Sequence, residues 1–262
     1  AARQRAVAAL LSPSDAALLS DPNNTLGIEY CRALLRVGAA PALFTIPRTG
    51  AAHDVTPENA GGYSASAIRH LLAEGRRADA LSRMVPAMRA VYEAEESAGR
   101  APVFAAACEW AILARLRSMT PAEFDALDTG HEGVGQRLYN ASRNAATLDA
   151  VLDNAKTKRY AYARLRRMVL WAYLGLTPAK LPASVPYLRI LAANETGRAL
   201  LGRMRKTARL PVITKPAAIR SLFPDAQRLF ETESRAADLY ALAYPELTEA
   251  CGSLWRQNPV MP

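Results

Sequence analysis

The apolar positions of this 262-residue chain fall mostly at helical spacing. Val7, Leu10, Leu11 and Leu18 give Arg3–Leu19 one amphipathic face and predict a helix. Asp21-Pro22-Asn23-Asn24 reads as a breaker, and the spacing resumes at Leu26, Tyr30, Leu34 and Val37, with Gly38 fitting a C-terminal cap. Residues Ala42–Ile46 read as a short buried strand ended by Pro47, and 48–62 as a loop. Ser64-Ala65-Ser66 then offers hydroxyls at the start of a helix running through Ile68 to Leu72. The order helix, strand, loop, helix is a piece of an α/β domain.

After about Arg76 the pattern is helical throughout. Val103–Met119 reads as one helix. Thr120-Pro121-Ala122-Glu123 is a capping box with proline at the first helical position. Helices are expected near 136–144, 147–155, 195–207, 217–222 and 226–243. Tyr187–Arg189 is read with the helical part, and Leu210–Thr214 as a β-like run. One long helix is expected over Thr157–Leu174. At 100° per residue it places Leu165, Met168, Val169 and Ala172 on one arc, with Arg159, Ala163, Arg166 and Arg167 opposite. The second arc is a cationic stripe.

Charge changes the picture more than composition does. Half the chain is hydrophobic and 22% is charged, which excludes a disordered chain and a disulfide-stapled scaffold. The net charge is +9, but it is not evenly spread. Arg137–Arg220 holds twelve Arg and five Lys against Asp149, Asp153 and Glu195, a net +14, and the rest of the chain is slightly acidic. Arg carries a planar fork suited to phosphate, so this segment reads as a nucleic-acid surface. The competing reading is a solvated basic face, and 53 alanines point to a coding bias that also favours Arg. Cys31, Cys108 and Cys251 are odd in number and far apart, which fits a reducing, cytoplasmic setting. The longest apolar stretch, Met168–Ala179, has 12 residues, too few to span a membrane.

Few residues present a catalytic pattern. The three histidines sit apart, no metal-ligand spacing is seen, and neither common glycine-rich phosphate loop occurs. Two stretches stand out. Ser64, Ser66 and Arg69 put hydroxyls, free backbone N–H groups and a guanidinium at one helix start, an arrangement suited to an anion. Asn23 and Asn24 follow a proline at another helix start, where an amide caps or meets a ligand. Taken alone, a plain cap with an exposed Arg is the favoured reading of the first, and a plain Pro-Asn turn accounts for the second.

Taken in order, these pieces resemble the bacterial tRNA(Met) cytidine acetate ligase family. They are Asp21–Tyr30, Thr45-Ile46-Pro47-Arg48 and Ser64–Arg69. The likeness continues through Lys156–Tyr160, Arg164–Gly175, Leu191–Glu195 to Lys215, Ala236–Tyr240 and Asn258–Met261. The resemblance implies a nucleotidyltransferase-like protein that uses ATP, with Mg2+, to activate acetate as acetyl-adenylate. The acetyl group then passes to N4 of the wobble cytidine of elongator tRNA(Met). It assigns Asn23, Arg48, Ser64, Ser66 and Arg69 to ATP. Lys156, Lys158, Arg159, Arg166 and Arg167 are the expected tRNA contacts, and no side-chain nucleophile or resident metal is implied, because acetate itself attacks. The family's His-x-Gly-His motif does not occur in this sequence, so a fragment is expected.

The fold class expected is therefore mainly α: the C-terminal remnant of a Rossmann-like nucleotidyltransferase α/β domain over 1–78, then a basic α-helical, tRNA-binding domain over 79–262. The alternatives are a non-catalytic helical RNA-binding protein of the same descent and an adenylyltransferase for another small substrate.

Overall fold

The structure, a computed structural model, describes residues 2–19, 21–46, 64–127, 133–247 and 250–261. It is mainly helical, as expected. Residues 1–62 and 63–262 form two compact units.

In the first unit, α1 (Ala2–Ala8) and α2 (Pro13–Leu18) replace the single helix expected over Arg3–Leu19. Pro13 lacks the N–H that a continuous helix needs, and the Ser12 side chain caps a fresh start instead. Helix α3 (Pro22–Val37) begins on the segment read as a breaker. The Asp21 carboxylate accepts the N–H of Asn23 at 2.7 Å, and Pro22 takes the first helical position, where a missing N–H costs nothing. Gly38 closes α3 at φ 65°, as its sequence position predicted. The strand expected at Ala42–Ile46 does not form. No described residue pairs with it, and Phe44 and Ile46 are 91% and 92% exposed. A strand is stable only through a ladder and a covered face, and this run has neither.

The second unit opens with α4 (Ala65–Ala73), whose N-terminus is capped by Ser64, followed by α5 (Arg77–Ser82) and α6 (Pro86–Ser97). Its main core is built by α7 (Glu109–Ser118), α8 (Pro121–Asp125), α9 (Val134–Arg143), α10 (Leu148–Ala155) and α11 (Tyr162–Leu174). Leu116, Phe124, Val134, Leu138, Val151 and Leu165 are fully buried there. Phe124 meets Tyr139 edge-on, with ring centres 5.6 Å apart. The capping box forms as expected: the Thr120 N–H reaches the Glu123 carboxylate at 2.8 Å, and the Thr120 hydroxyl accepts the N–H of Glu123. The helix expected from Val103 starts as a tighter 3-10 turn at Ala105–Cys108.

Beyond α11 the chain makes a miniature β-α-β unit. β1 (Leu188–Arg189) and β2 (Val212–Ile213) pair in parallel, and α12 (Glu195–Thr207) is the crossover between them. Tyr187–Arg189 is thus part strand rather than helical, because Val212–Ile213 supplies the partner that any strand requires. A parallel bridge from Ala192 to Val260 brings in the C-terminal segment. A second, smaller core forms where α13 (Pro224–Ala241) and α14 (Ser253–Arg256) meet the 3-10 turn Pro216–Ser221. Phe230 is its fully buried centre, 4.6 Å from the ring of Trp255.

Candidate functional site

Of the residues expected near ATP, those described lie in and around the first turns of α3 and α4. Asn23 sits in the first turn of α3 with its side chain exposed. The Ser64 hydroxyl accepts the N–H of Ala67 at 3.2 Å, so its first role is to cap α4. Arg69 donates to the Ser66 hydroxyl at 3.2 Å, one turn apart on α4, which brings this pair together. Arg48 lies outside the described residues, as do His53 and His131. Among the described residues, no group of three His, Cys, Asp or Glu side chains is placed to hold a metal.

The expected tRNA contacts gather around the join between α10 and α11. The long helix predicted from Thr157 starts only at Tyr162. The Thr157 hydroxyl accepts the N–H groups of Arg159 and Tyr160, both at 3.1 Å, and so satisfies in a turn the donors a helix would have used. Arg159 therefore sits in a turn and not on a helical stripe. The apolar arc is as expected: Leu165, Met168, Val169 and Ala172 are all buried. Lys156, Lys158, Arg159, Arg166 and Arg167 are all exposed.

Two tyrosines organise these cations. Lys156 Nζ lies 4.9 Å from the centre of the Tyr162 ring, and the Arg166 guanidinium lies 5.6 Å from it. Arg159 and Arg164 lie 5.8 and 5.6 Å from the Tyr160 ring. Each such contact contributes about 0.5–1 kcal/mol at an exposed site. The Tyr162 hydroxyl is held by Asp153. Tyr160 is buried, while Tyr162 keeps part of its surface open. Neither tyrosine was singled out from sequence. The signal was there in Lys-x-Lys-Arg-Tyr-x-Tyr-x-Arg-x-Arg-Arg, where aromatic residues alternate with cations. Lys156, Lys158, Arg166 and Arg167 form no ion pair with any described residue.

The +14 segment does two jobs. Arg137 donates to the carbonyls of Ala155 and Asn154 at 2.8 and 3.0 Å, closing the end of α10. Arg143 donates to the carbonyls of Arg117 and Met119, at the C-terminal end of α7, at 2.5 and 2.8 Å. Lys180 holds the Gly175 carbonyl at 2.8 Å, and Arg189 meets Gln257 at 3.1 Å. These cations serve the fold. A second group, Arg198, Arg203, Arg205, Lys206, Arg209 and Lys215, has no ion pair with any described residue.

The fold defines a class. Crystal structures of Thermotoga maritima TmcAL share it: the apo form I has a TM-score of 0.91 at 24% identity, over 99% of this chain and 66% of that one. The form bound with alpha-thio ATP has a TM-score of 0.87 at 25% identity, over 99% and 65%. The family model described as HIGH Nucleotidyl Transferase matches residues 1–253, and the chain belongs to that family. It is 32% identical over 258 residues to the tRNA(Met) cytidine acetate ligase of Acetivibrio thermocellus, covering 93% of this chain and 61% of that protein. It is 27% identical over 266 residues to the one from Fervidobacterium nodosum, covering 93% and 62%. The chain thus spans about three-fifths of the length of these curated relatives.

Proposed function

We propose that this chain works in a tRNA(Met) cytidine acetate ligase and holds the RNA substrate on its basic helical part. The supporting observation is the set of exposed cations Lys156, Lys158, Arg166 and Arg167, which form no ion pair with any described residue, with Lys156 and Arg166 packed on the Tyr162 ring. Cations of this kind neutralise backbone phosphates, and the open part of the Tyr162 ring offers a base a stacking surface. In this reading residues 79–262 are the RNA-binding domain. Residues 1–78 belong to a Rossmann-like ATP-binding domain, a functional division distinct from the compact units. Relatives named tRNA(Met) cytidine acetate ligase support acetate and tRNA(Met) as the substrates. The alpha-thio ATP in the TmcAL crystal structure supports ATP.

The chemistry follows from what those substrates need. Acetate attacks the α-phosphate of ATP, pyrophosphate leaves, and the N4 amine of cytidine then displaces AMP from the acetyl-adenylate. Arg69, hydrogen-bonded to Ser66, would offset phosphate charge, and Asn23 and Arg48 are proposed as ATP contacts on the family likeness alone. Magnesium would enter with the ATP phosphates. Three unpaired cysteines support a cytoplasmic setting. No helix among the described residues is long and apolar enough to cross a membrane.

The test is acetate-dependent exchange of labelled pyrophosphate into ATP, run beside salt-dependent tRNA binding. Both are expected of the ligase. Salt-sensitive binding without exchange supports the second reading, a non-catalytic helical RNA-binding protein. That reading is favoured by the commitment of Ser64 to capping rather than to an open anion site. Exchange supported by another small acid and not by acetate would support a different adenylyltransferase.

A further inference from the structure

A groove runs along one side of α12, between the helix, the carboxyl end of β2 and the C-terminal segment. Its volume is about 430 Å³, within the range of small-ligand pockets. Arg198, Leu201, Gly202 and Arg205 lie at i, i+3, i+4 and i+7, and so form a single stripe facing it. Thr214 and Lys215 enter from just past β2, and Asn258, Pro259 and Met261 close the far side. Ligands of parallel β-α-β units gather at the carboxyl ends of the strands, which is where this groove opens.

Its lining has three chemical zones. Leu201, Pro259 and Met261 make an apolar floor. Gly202 leaves the helix backbone open: a Cβ there would meet nothing within 4 Å. Arg198, Arg205 and Lys215 are three cations without an ion pair among the described residues, and no carboxylate lines the groove with them. Asn258 brings an amide, a donor and an acceptor together, with no side-chain hydrogen bond to a described residue. The helix dipole accounts for Arg205 and Lys206 in the last turn. It does not account for Arg198, which stands near the positive end of α12. Beyond the groove, Arg203, Lys206 and Arg209 continue the positive charge.

We infer that this groove seats one unstacked nucleotide of a bound RNA. The base lies on Leu201 and Met261, its polar edge meets Asn258, and its phosphate sits among Arg198, Arg205 and Lys215. The inference rests on the RNA-directed reading above, and adds to the Tyr160–Tyr162 cluster a second site on different residues. A base-sized slot with an amide and a cationic rim matches an unpaired nucleotide, whereas a continuous duplex offers no base to enter it.

The test measures fluorescence anisotropy of this 262-residue chain with two labelled RNAs of equal phosphate number. One is a hairpin with an unpaired loop and the other a fully paired duplex. Wild type, Gly202→Leu and Asn258→Ala are compared across a salt series. Gly202→Leu fills the slot without removing charge, and leucine is the better helix former, so its melting temperature should be at or above that of wild type. The expected result is about tenfold tighter binding of the hairpin by wild type. Gly202→Leu should bring the hairpin down to the duplex level, with duplex affinity and salt slope unchanged, and Asn258→Ala should lose part of the preference. A wild-type hairpin preference that both variants retain would overturn the assignment. So would equal binding of hairpin and duplex by wild type. Binding of free AMP or CMP that Gly202→Leu abolishes, with RNA binding unaltered, would overturn it in favour of a free-nucleotide site. A wild-type chain that binds neither RNA would remove the RNA-directed reading itself, a different failure from loss of the slot alone.

Discussion

Two helical glycines should respond in opposite directions to the same substitution. Gly135 lies in the first turn of α9, buried against α8. A Cβ there would stand 2.8 Å from both the Cα and the N of Asp125. Carbon atoms pack at about 3.5–4.0 Å, so α9 must retreat by roughly 0.7 Å or more. The obstacle is backbone, which no rotamer change relieves. Overpacking of this kind costs about 1–3 kcal/mol, and often more against a fixed main chain. The gain in helix propensity from Gly to Ala is about 1 kcal/mol and does not offset it. Gly135→Ala should therefore be destabilised by about 1–2 kcal/mol net. For a folded unit of this size that lowers Tm by about 2–8 °C. Gly202 has open space where its Cβ would be, so Gly202→Ala keeps only the propensity gain, about 1 kcal/mol or a rise of roughly 2–4 °C. Thermal melts followed by circular dichroism, with urea midpoints as a check, measure both. A Gly135→Ala chain that melts at or above wild type would refute the steric argument.

Other expectations concern pH, packing and charge. Hydrogen bonds from Arg77 and Arg100 hold the Glu96 and Glu95 carboxyls below their ordinary value of 4.5. Depressed carboxyl groups contribute stability above the unfolded value and lose it as pH falls, so Glu96→Gln should flatten the acid limb of a Tm-versus-pH curve. Tyr173 is pushed up to about 12, first by burial and then by its bond to Cys108, so its contribution is complete below pH 10 and fades between 10 and 12. Tyr173→Phe should make the alkaline limb shallower over that window. Phe230→Ala, which empties the centre of the second core, should cost about 3–5 kcal/mol by urea denaturation. Replacing Lys156 and Arg166 together by alanine should lower the slope of log Kd against log salt for tRNA by about two.

Helix content and faces were legible because a helix writes its own period. The buried arc of α11, the Thr120–Glu123 box and the caps at Ser64 and Gly38 each depend on residues a few positions apart. The errors came where the deciding partner is distant or the competition is subtle. Leu188–Arg189 becomes a strand only because Val212–Ile213 lies beside it. Residues 42–46 had strand composition but no described partner. The Thr157 hydroxyl delayed α11 by satisfying two N–H groups that helical spacing alone assigns to the helix. Of the residues named in advance for ATP, Ser66 and Arg69 are joined by a hydrogen bond, while Ser64 is spent on its helix. The α12 groove went unread because its far side, Asn258, Pro259 and Met261, is about fifty residues from the α12 stripe in the chain.

The arginines that close helix ends also set how this surface can be mapped. Arg137 and Arg143 each bridge two carbonyl oxygens, a task for a planar fork that a lysine ammonium does not reproduce. Alanine scanning would score such positions and the proposed RNA contacts alike, as lost binding. A charge-preserving lysine scan separates them: buttressing arginines fail by unfolding, and those that meet phosphate largely survive. With 28 arginines and 5 lysines, the chain offers a nearly complete substrate for that genetic sorting.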